Sequence, residues 1–124
     1  MRSALLVAAG GMVGSLARYG VAGLVQRLTD GPFPLGTLAV NVVGSFVLGF
    51  VMALSLERGA LSAEARVMLG AGFCGGFTTM STFAYETMAL GRQGDWTFAI
   101  GNLVVTIVAC LGAVWAGQLM GRGA

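Results

Sequence analysis

The residues able to do chemistry in this sequence are few, and most are neutral. Thr37, Asn41 and Ser45 are spaced by four, so they share one face of one helix. Asn102 and Thr106 repeat that spacing toward Cys110. A Ser or Thr in a helix usually bonds back to its own backbone. A carboxamide is different: it brings two donors and an acceptor, more than its own helix can satisfy. Asn41 therefore either joins two helices or faces a hydrated path. The segment Gly72-Phe73-Cys74-Gly75-Gly76-Phe77-Thr78-Thr79-Met80-Ser81-Thr82-Phe83 concentrates glycines, hydroxyls and three aromatic rings. Glu86 and Arg18 are the charged side chains that fall inside apolar stretches. There is no His, no CxxC spacing and no carboxylate pair within a span, which argues against a transition-metal site and against an enzyme. Amide, hydroxyl and aromatic edge donate hydrogen bonds or present positive ring rims. That chemistry suits a small polar solute or a small, hard anion better than a cation.

The elements that position these residues follow from the charges. Of 124 residues, 56% are apolar and 10% charged, and the mean hydropathy is +0.85. Those values exclude a disordered chain, a nucleic-acid partner and an ordinary soluble domain. Long uncharged runs, Gly31–Leu56, Val67–Tyr85 and Trp96–Gly121, alternate with short charged connections. A bilayer-spanning helix needs about 20 residues. The sequence therefore predicts one transmembrane domain over residues 1–124, with four helices at roughly 4–27, 34–56, 64–91 and 95–120. Arg2 and the apolar run after it resemble a signal peptide, but no small-residue cleavage site leads into a polar region, so the first helix is retained. Cys74 and Cys110 fall within spans and read as small apolar packing residues.

Two features go beyond a plain four-helix bundle. Gly75 to Met80 combines a glycine pair with hydroxyl side chains that compete for backbone groups, so the third helix is expected to break there, mid-membrane. Unwound backbone at membrane depth persists only where protein buries it or it lines a cavity. Its carbonyls can hold a cation and its N–H groups an anion. Small residues also recur four apart at Gly10/Gly14, Ser45/Gly49, Gly72/Gly76 and Gly117/Gly121, a spacing that lets helices approach closely in lipid. Four short helices enclose little interior, so an oligomer with its pathway near the subunit interface is expected. Arg2, Arg58, Arg66 and Arg122 fall on one side; Arg27 and Arg92, with Arg18 if it reaches the interface, fall on the other. That bias is too small to choose between one orientation and two.

Three blocks together resemble the CrcB/Fluc fluoride channel family: Gly10-Gly11-Met12-Val13-Gly14 leading to Arg18-Tyr19, Gly36-Thr37-Leu38-Ala39-Val40-Asn41, and Gly75-Gly76-Phe77-Thr78-Thr79-Met80-Ser81-Thr82-Phe83. The resemblance covers all four helices. It implies an all-α, dual-topology antiparallel homodimer in the bacterial plasma (inner) membrane, with two pores through which fluoride leaves the cytoplasm passively. It implies a structural Na⁺ at the dimer centre, held by the backbone carbonyls of Gly75 and Thr78. Asn41 matches a pore asparagine that donates to fluoride, and Phe83 a pore phenylalanine whose ring edge faces the anion. Ser81 and Thr82 match the pore-lining stretch, Thr37 and Glu86 polar residues near the pore, and Arg18 a vestibule residue. Asn102 and Thr106 would continue a polar track on the fourth helix. One position departs: Met80 stands where the family commonly has Phe, so one ring edge per pore is missing. A proton-coupled small multidrug exporter would need an acid in the first helix, and there is none. A subunit that only packs against a partner would leave the Asn41 face idle.

Overall fold

The computed structural model describes residues 1–123, and these are helical throughout, joined by short turns. Helix α1 spans Arg2–Leu28 and α2 spans Leu35–Met52, running on in a wider π turn over Ala53–Glu57. The third span starts with α3 (Ala63–Arg66), widens into a π stretch (Val67–Cys74), and closes its first half with α4 (Gly75–Phe77). Helix α5 (Met80–Arg92) is its second half, and α6 is Trp96–Gly121. Among the described residues, four helical stretches are long and apolar enough to cross a membrane: Arg2–Leu28, Leu35–Glu57, Ala63–Arg92 and Trp96–Gly121. The chain is a multi-pass membrane protein.

Sequence explains where these helices start and stop. Ser62 caps α3 by accepting from the Ala65 N–H at 3.1 Å, with Glu64 in the first turn to offset the helix dipole. After α5 the chain turns through Gly94, whose φ of +85° is open to glycine at no steric cost. The N–H of Asp95 reaches back to the Leu90 carbonyl at 2.9 Å, the six-residue closure typical of helix ends. Asp95 then caps α6 through the Phe98 N–H at 3.2 Å. The π stretch departs from the regular helix that the sequence predicts up to Gly75. It coincides with Gly70 and Gly72, and α1 lies directly against it. An added Cβ at Gly10 would strike the Met68 carbonyl, and one at Gly14 the Phe73 carbonyl. With so little side-chain bulk, backbone contact replaces side-chain interdigitation, and the wider turn is accommodated.

The small-residue pairs find their partners inside the chain. Helix α2 packs chiefly on α6, where Gly49 faces the Val114 backbone and Gly117 the Phe46 backbone. Gly76 faces α1 at the Gly11 carbonyl, and Gly121 faces Phe50 and Ala53. These pairs therefore carry no argument for an oligomer by themselves. What remains outward is apolar: Leu103, Val104, Ile107, Val108 and Leu111 of α6, and Leu5, Met12 and Leu16 of α1.

One end of the bundle is tied by charges. Arg2 pairs with Glu64 and Arg122 with Glu57, both at 2.7 Å. Arg58 donates to the Gly121 carbonyl at 3.4 Å and Arg66 to the Ser55 hydroxyl at 3.0 Å. All four arginines assigned to one side by the sequence meet at this end.

Candidate functional site

The site is built around two residues that leave the helix. Thr78 (φ −94°, ψ 160°) and Thr79 (φ −152°, ψ 119°) are extended, between the end of α4 and the start of α5. Backbone groups released by such an interruption need other partners. The structure supplies several of them, from side chains and from the preceding helical turn. Both the N–H and the hydroxyl of Thr78 go to the Cys74 carbonyl, at 3.0 and 2.9 Å. The Thr79 N–H donates to Asn41 Oδ1 at 2.8 Å, and Asn41 Nδ2 donates back to the Thr79 carbonyl at 3.1 Å. The carboxamide thus pairs with one residue as a neighbouring strand would. Arg18 Nε donates to the Gly76 carbonyl at 3.1 Å. A cation at the carbonyl end of a helical segment also offsets its dipole. Thr79 Oγ1 starts α5 by accepting from the Thr82 N–H at 3.2 Å.

Gly75 and Thr78 are left with carbonyls short of a helical partner, since the Thr82 N–H that an unbroken helix would give to Thr78 goes to Thr79 Oγ1. In an unbroken helix the Thr79 N–H would bond the Gly75 carbonyl four residues back. Asn41 diverts that N–H, so Gly75 loses its helical partner, and Gly75 is exposed.

An open groove of about 430 Å³ runs along this region. Asn41, Gly44 and Ser45 of α2, Gly75, Thr78 and Thr79 of the third span, and Met80 and Phe83 of α5 line it, together with Thr106, Ile107 and Cys110 of α6. Gly44 is required there, because a Cβ would collide with the Thr78 methyl. Phe83 is 6% exposed, whereas Met80 is 74% exposed at the groove's open side. Ser81 is exposed and Thr82 half-buried beside them.

The remaining sequence-selected residues lie elsewhere. Thr37 is buried at the start of α2. Glu86 borders a second recess of about 210 Å³ with Gln26, Pro32, Pro34 and Gln93, and its Oε1 is buried without a hydrogen-bond partner. Gln26 shapes that recess, donating to the Phe33 carbonyl at 3.2 Å and accepting from the Gly36 N–H at 3.0 Å. Asn102 is 1% exposed and lines neither cavity. Thr106 reaches the groove, but its hydroxyl donates to Asn102 Oδ1 at 3.2 Å. Arg18 is half-buried and turned onto Gly76. Two partners were not singled out from the sequence: Thr79, the residue Asn41 holds, and Thr87, which accepts from Asn102. A carboxamide and a hydroxyl inside apolar runs were the available signal; their pairing depends on distant segments.

A family model described as CrcB-like protein, Camphor Resistance (CrcB), matches residues 5–118. The chain belongs to the CrcB family. A protein of Geobacter sulfurreducens named fluoride-specific ion channel FluC is 44% identical over 122 residues, covering 98% of each chain. Proteins with the same name in Opitutus terrae and Pyrococcus abyssi are 45% and 41% identical, covering 96% and 98% of this chain and 92% and 98% of their own. Membership in the CrcB family sets the chain among channels, not enzymes.

Proposed function

We propose that this CrcB-family chain is a fluoride-selective passive channel that lets cytoplasmic fluoride leave through the bacterial inner membrane. The observation that carries the reading is the near full-length similarity to proteins named fluoride-specific ion channels. The groove supplies compatible chemistry. Fluoride holds water tightly, so a pore must replace that water with matched donors. Asn41 keeps one amide N–H beyond its bond to Thr79. Ser81 and Thr82 add hydroxyls beside it, and Phe83 adds a ring edge. Glu86 borders the smaller recess, Thr37 is buried at the start of α2, and Thr106 reaches the groove with Asn102 behind it.

The functional unit in this reading is an antiparallel, dual-topology homodimer with two pores. The groove is open on one side, where the exposed Met80, Ile107 and Leu111 leave it unenclosed. A second copy across that face would enclose it. The interruption at Thr78–Thr79 then lies mid-membrane, and the third helix is broken where the two copies meet. A structural Na⁺ fits this place: the Gly75 carbonyl has lost its helical partner, and neutral oxygen is the donor a hard cation takes. Gly75 and Thr78 of each copy would hold it, and it would offset the partial negative charge of those carbonyl oxygens and fix them at the centre.

The test is fluoride release from vesicles holding the purified protein, started with a potassium ionophore and followed with a fluoride electrode. Rapid, ionophore-dependent fluoride release without chloride release is the expected result. Absence of release from both this chain and its Met80→Phe variant would overturn the reading.

A further inference from the structure

We propose that Thr87 is the positioning residue for Phe83, and that Asn102 acts through Thr87 rather than as a donor to the permeating ion. The proposal rests on the reading of Phe83 as a groove residue that meets fluoride. It extends that reading to a residue whose side chain lies outside the groove.

A directed chain of hydrogen bonds runs from α6 to α5. Thr106 Oγ1 donates to Asn102 Oδ1 at 3.2 Å, Asn102 Nδ2 donates to Thr87 Oγ1 at 2.9 Å, and Thr87 Oγ1 donates to the Phe83 carbonyl at 2.8 Å. All four residues are buried. A hydroxyl has one proton to give. Thr87 gives its proton to Phe83, and Thr106 gives its own to Asn102, so neither retains one for an anion. Asn102 is the least exposed of the four and borders neither cavity. An ion in the groove has no access to it. The chain therefore ends on protein, at the backbone of the residue whose ring lines the groove.

That end point matters because α5 is short and starts immediately after the interruption. It has 13 residues, and its main packing partner is α6. Its first turn is held by Asn41 through Thr79, and Thr87 is its polar tie to α6 one turn beyond Phe83. The two ties together fix how far α5 can rotate about its axis. With a side chain about 6 Å from that axis, a rotation of about 20° would carry the Phe83 ring about 2 Å. A ring edge that must replace water around a small ion does not tolerate such a displacement.

The experiment compares Thr87→Val with Thr87→Ser in the fluoride-release assay, at protein densities of about one channel per vesicle or fewer. Thr87→Val keeps the shape and removes the hydroxyl. Its expected effect is a fall of about tenfold in the release rate per active vesicle, with Thr87→Ser within about twofold of the unaltered protein. A purely structural defect would instead reduce the fraction of vesicles that release and leave the rate in the rest unchanged. In a Phe83→Ile background, Thr87→Val should add nothing further. If Thr87→Val does not yield folded protein, Asn102→Leu breaks the same chain one link earlier and is expected to reproduce the loss of rate per vesicle. An unchanged rate in the folded variant, or a full additional loss in the Phe83→Ile background, overturns the proposal while leaving the channel reading intact. No release from the unaltered protein overturns both.

Discussion

At the residue scale, Asn41 does two jobs with one side chain. Its Oδ1 and one amide hydrogen replace the backbone partners that Thr79 loses on leaving the helix, and the other hydrogen remains for a ligand. Asn41→Leu would leave the N–H and the carbonyl of the half-buried Thr79 without their protein partner, at a cost of up to about 1–3 kcal/mol for each. The expected outcome is a marked drop in thermal midpoint in detergent together with loss of fluoride release; an unchanged midpoint would show that water satisfies Thr79 instead. Asn41→Asp keeps the acceptor but sets a carboxylate oxygen against the Thr79 carbonyl, so it should fail to restore release. At Phe83 the expectation is different. Phe83→Ile retains apolar volume and should fold, yet cut fluoride release strongly, because Met80 supplies no second ring. Release near that of the unaltered protein would remove Phe83 from the route. Asn41 stands out in the sequence as a carboxamide in an apolar run, whereas Phe83 is one of seven phenylalanines and is picked out only by the resemblance to the family. Their partners were not legible there. That Asn41 would pair with the backbone of Thr79, 38 residues away, depends on how the third span sits against α2.

At the element scale, the positions of the four apolar helices follow from spacing of charges, and those were readable. The internal geometry of the third span was readable only in part. Gly75, Gly76 and the hydroxyls after them mark a weak place, but the π stretch over Val67–Cys74, which lies against α1, has no local pattern that records it. Likewise the small-residue pairs announce close approach without saying to what. The structure assigns Gly49 and Gly117 to the α2–α6 contact and Gly10 and Gly14 to the contact of α1 with the π stretch. A Cβ at Gly117 would meet the Phe46 backbone, which cannot step aside as a flexible side chain can. Gly117→Ala should therefore cost about 1–3 kcal/mol through separation of α2 from α6. Gly101→Ala, with open space around its Cβ, should be neutral or slightly stabilising. Thermal unfolding of the two variants side by side tests this: equal midpoints would mean that α2 and α6 are not held as closely as their backbones lie.

At the scale of the whole molecule, charge placement bears on how the chain inserts. Topology follows the count of basic residues near each end of the spans, with acids contributing little. Arg2, Arg58, Arg66 and Arg122 gather at one end, and Arg27 and Arg92 lie at the other. Arg18 drops out of the second count, because its guanidinium is engaged with the Gly76 carbonyl beside the interruption. The bias is thus four against two, the larger of the two counts the sequence allowed, and two orientations must coexist if one chain is to form an antiparallel pair. Labelling decides this. A single cysteine placed at Ala60, in the exposed turn of the arginine-rich end, with Cys74 and Cys110 replaced, reports sidedness to a membrane-impermeant maleimide in intact cells. For a self-sufficient homodimer, about half of the chains should label from outside, and the rest only after permeabilisation. Labelling confined to one side would remove the antiparallel homodimer and with it the enclosure of the groove by a second copy in opposite orientation. Arg58→Ala with Arg66→Ala would level the count at two against two. That change should move a one-sided population toward an even one, and leave an already even population where it is.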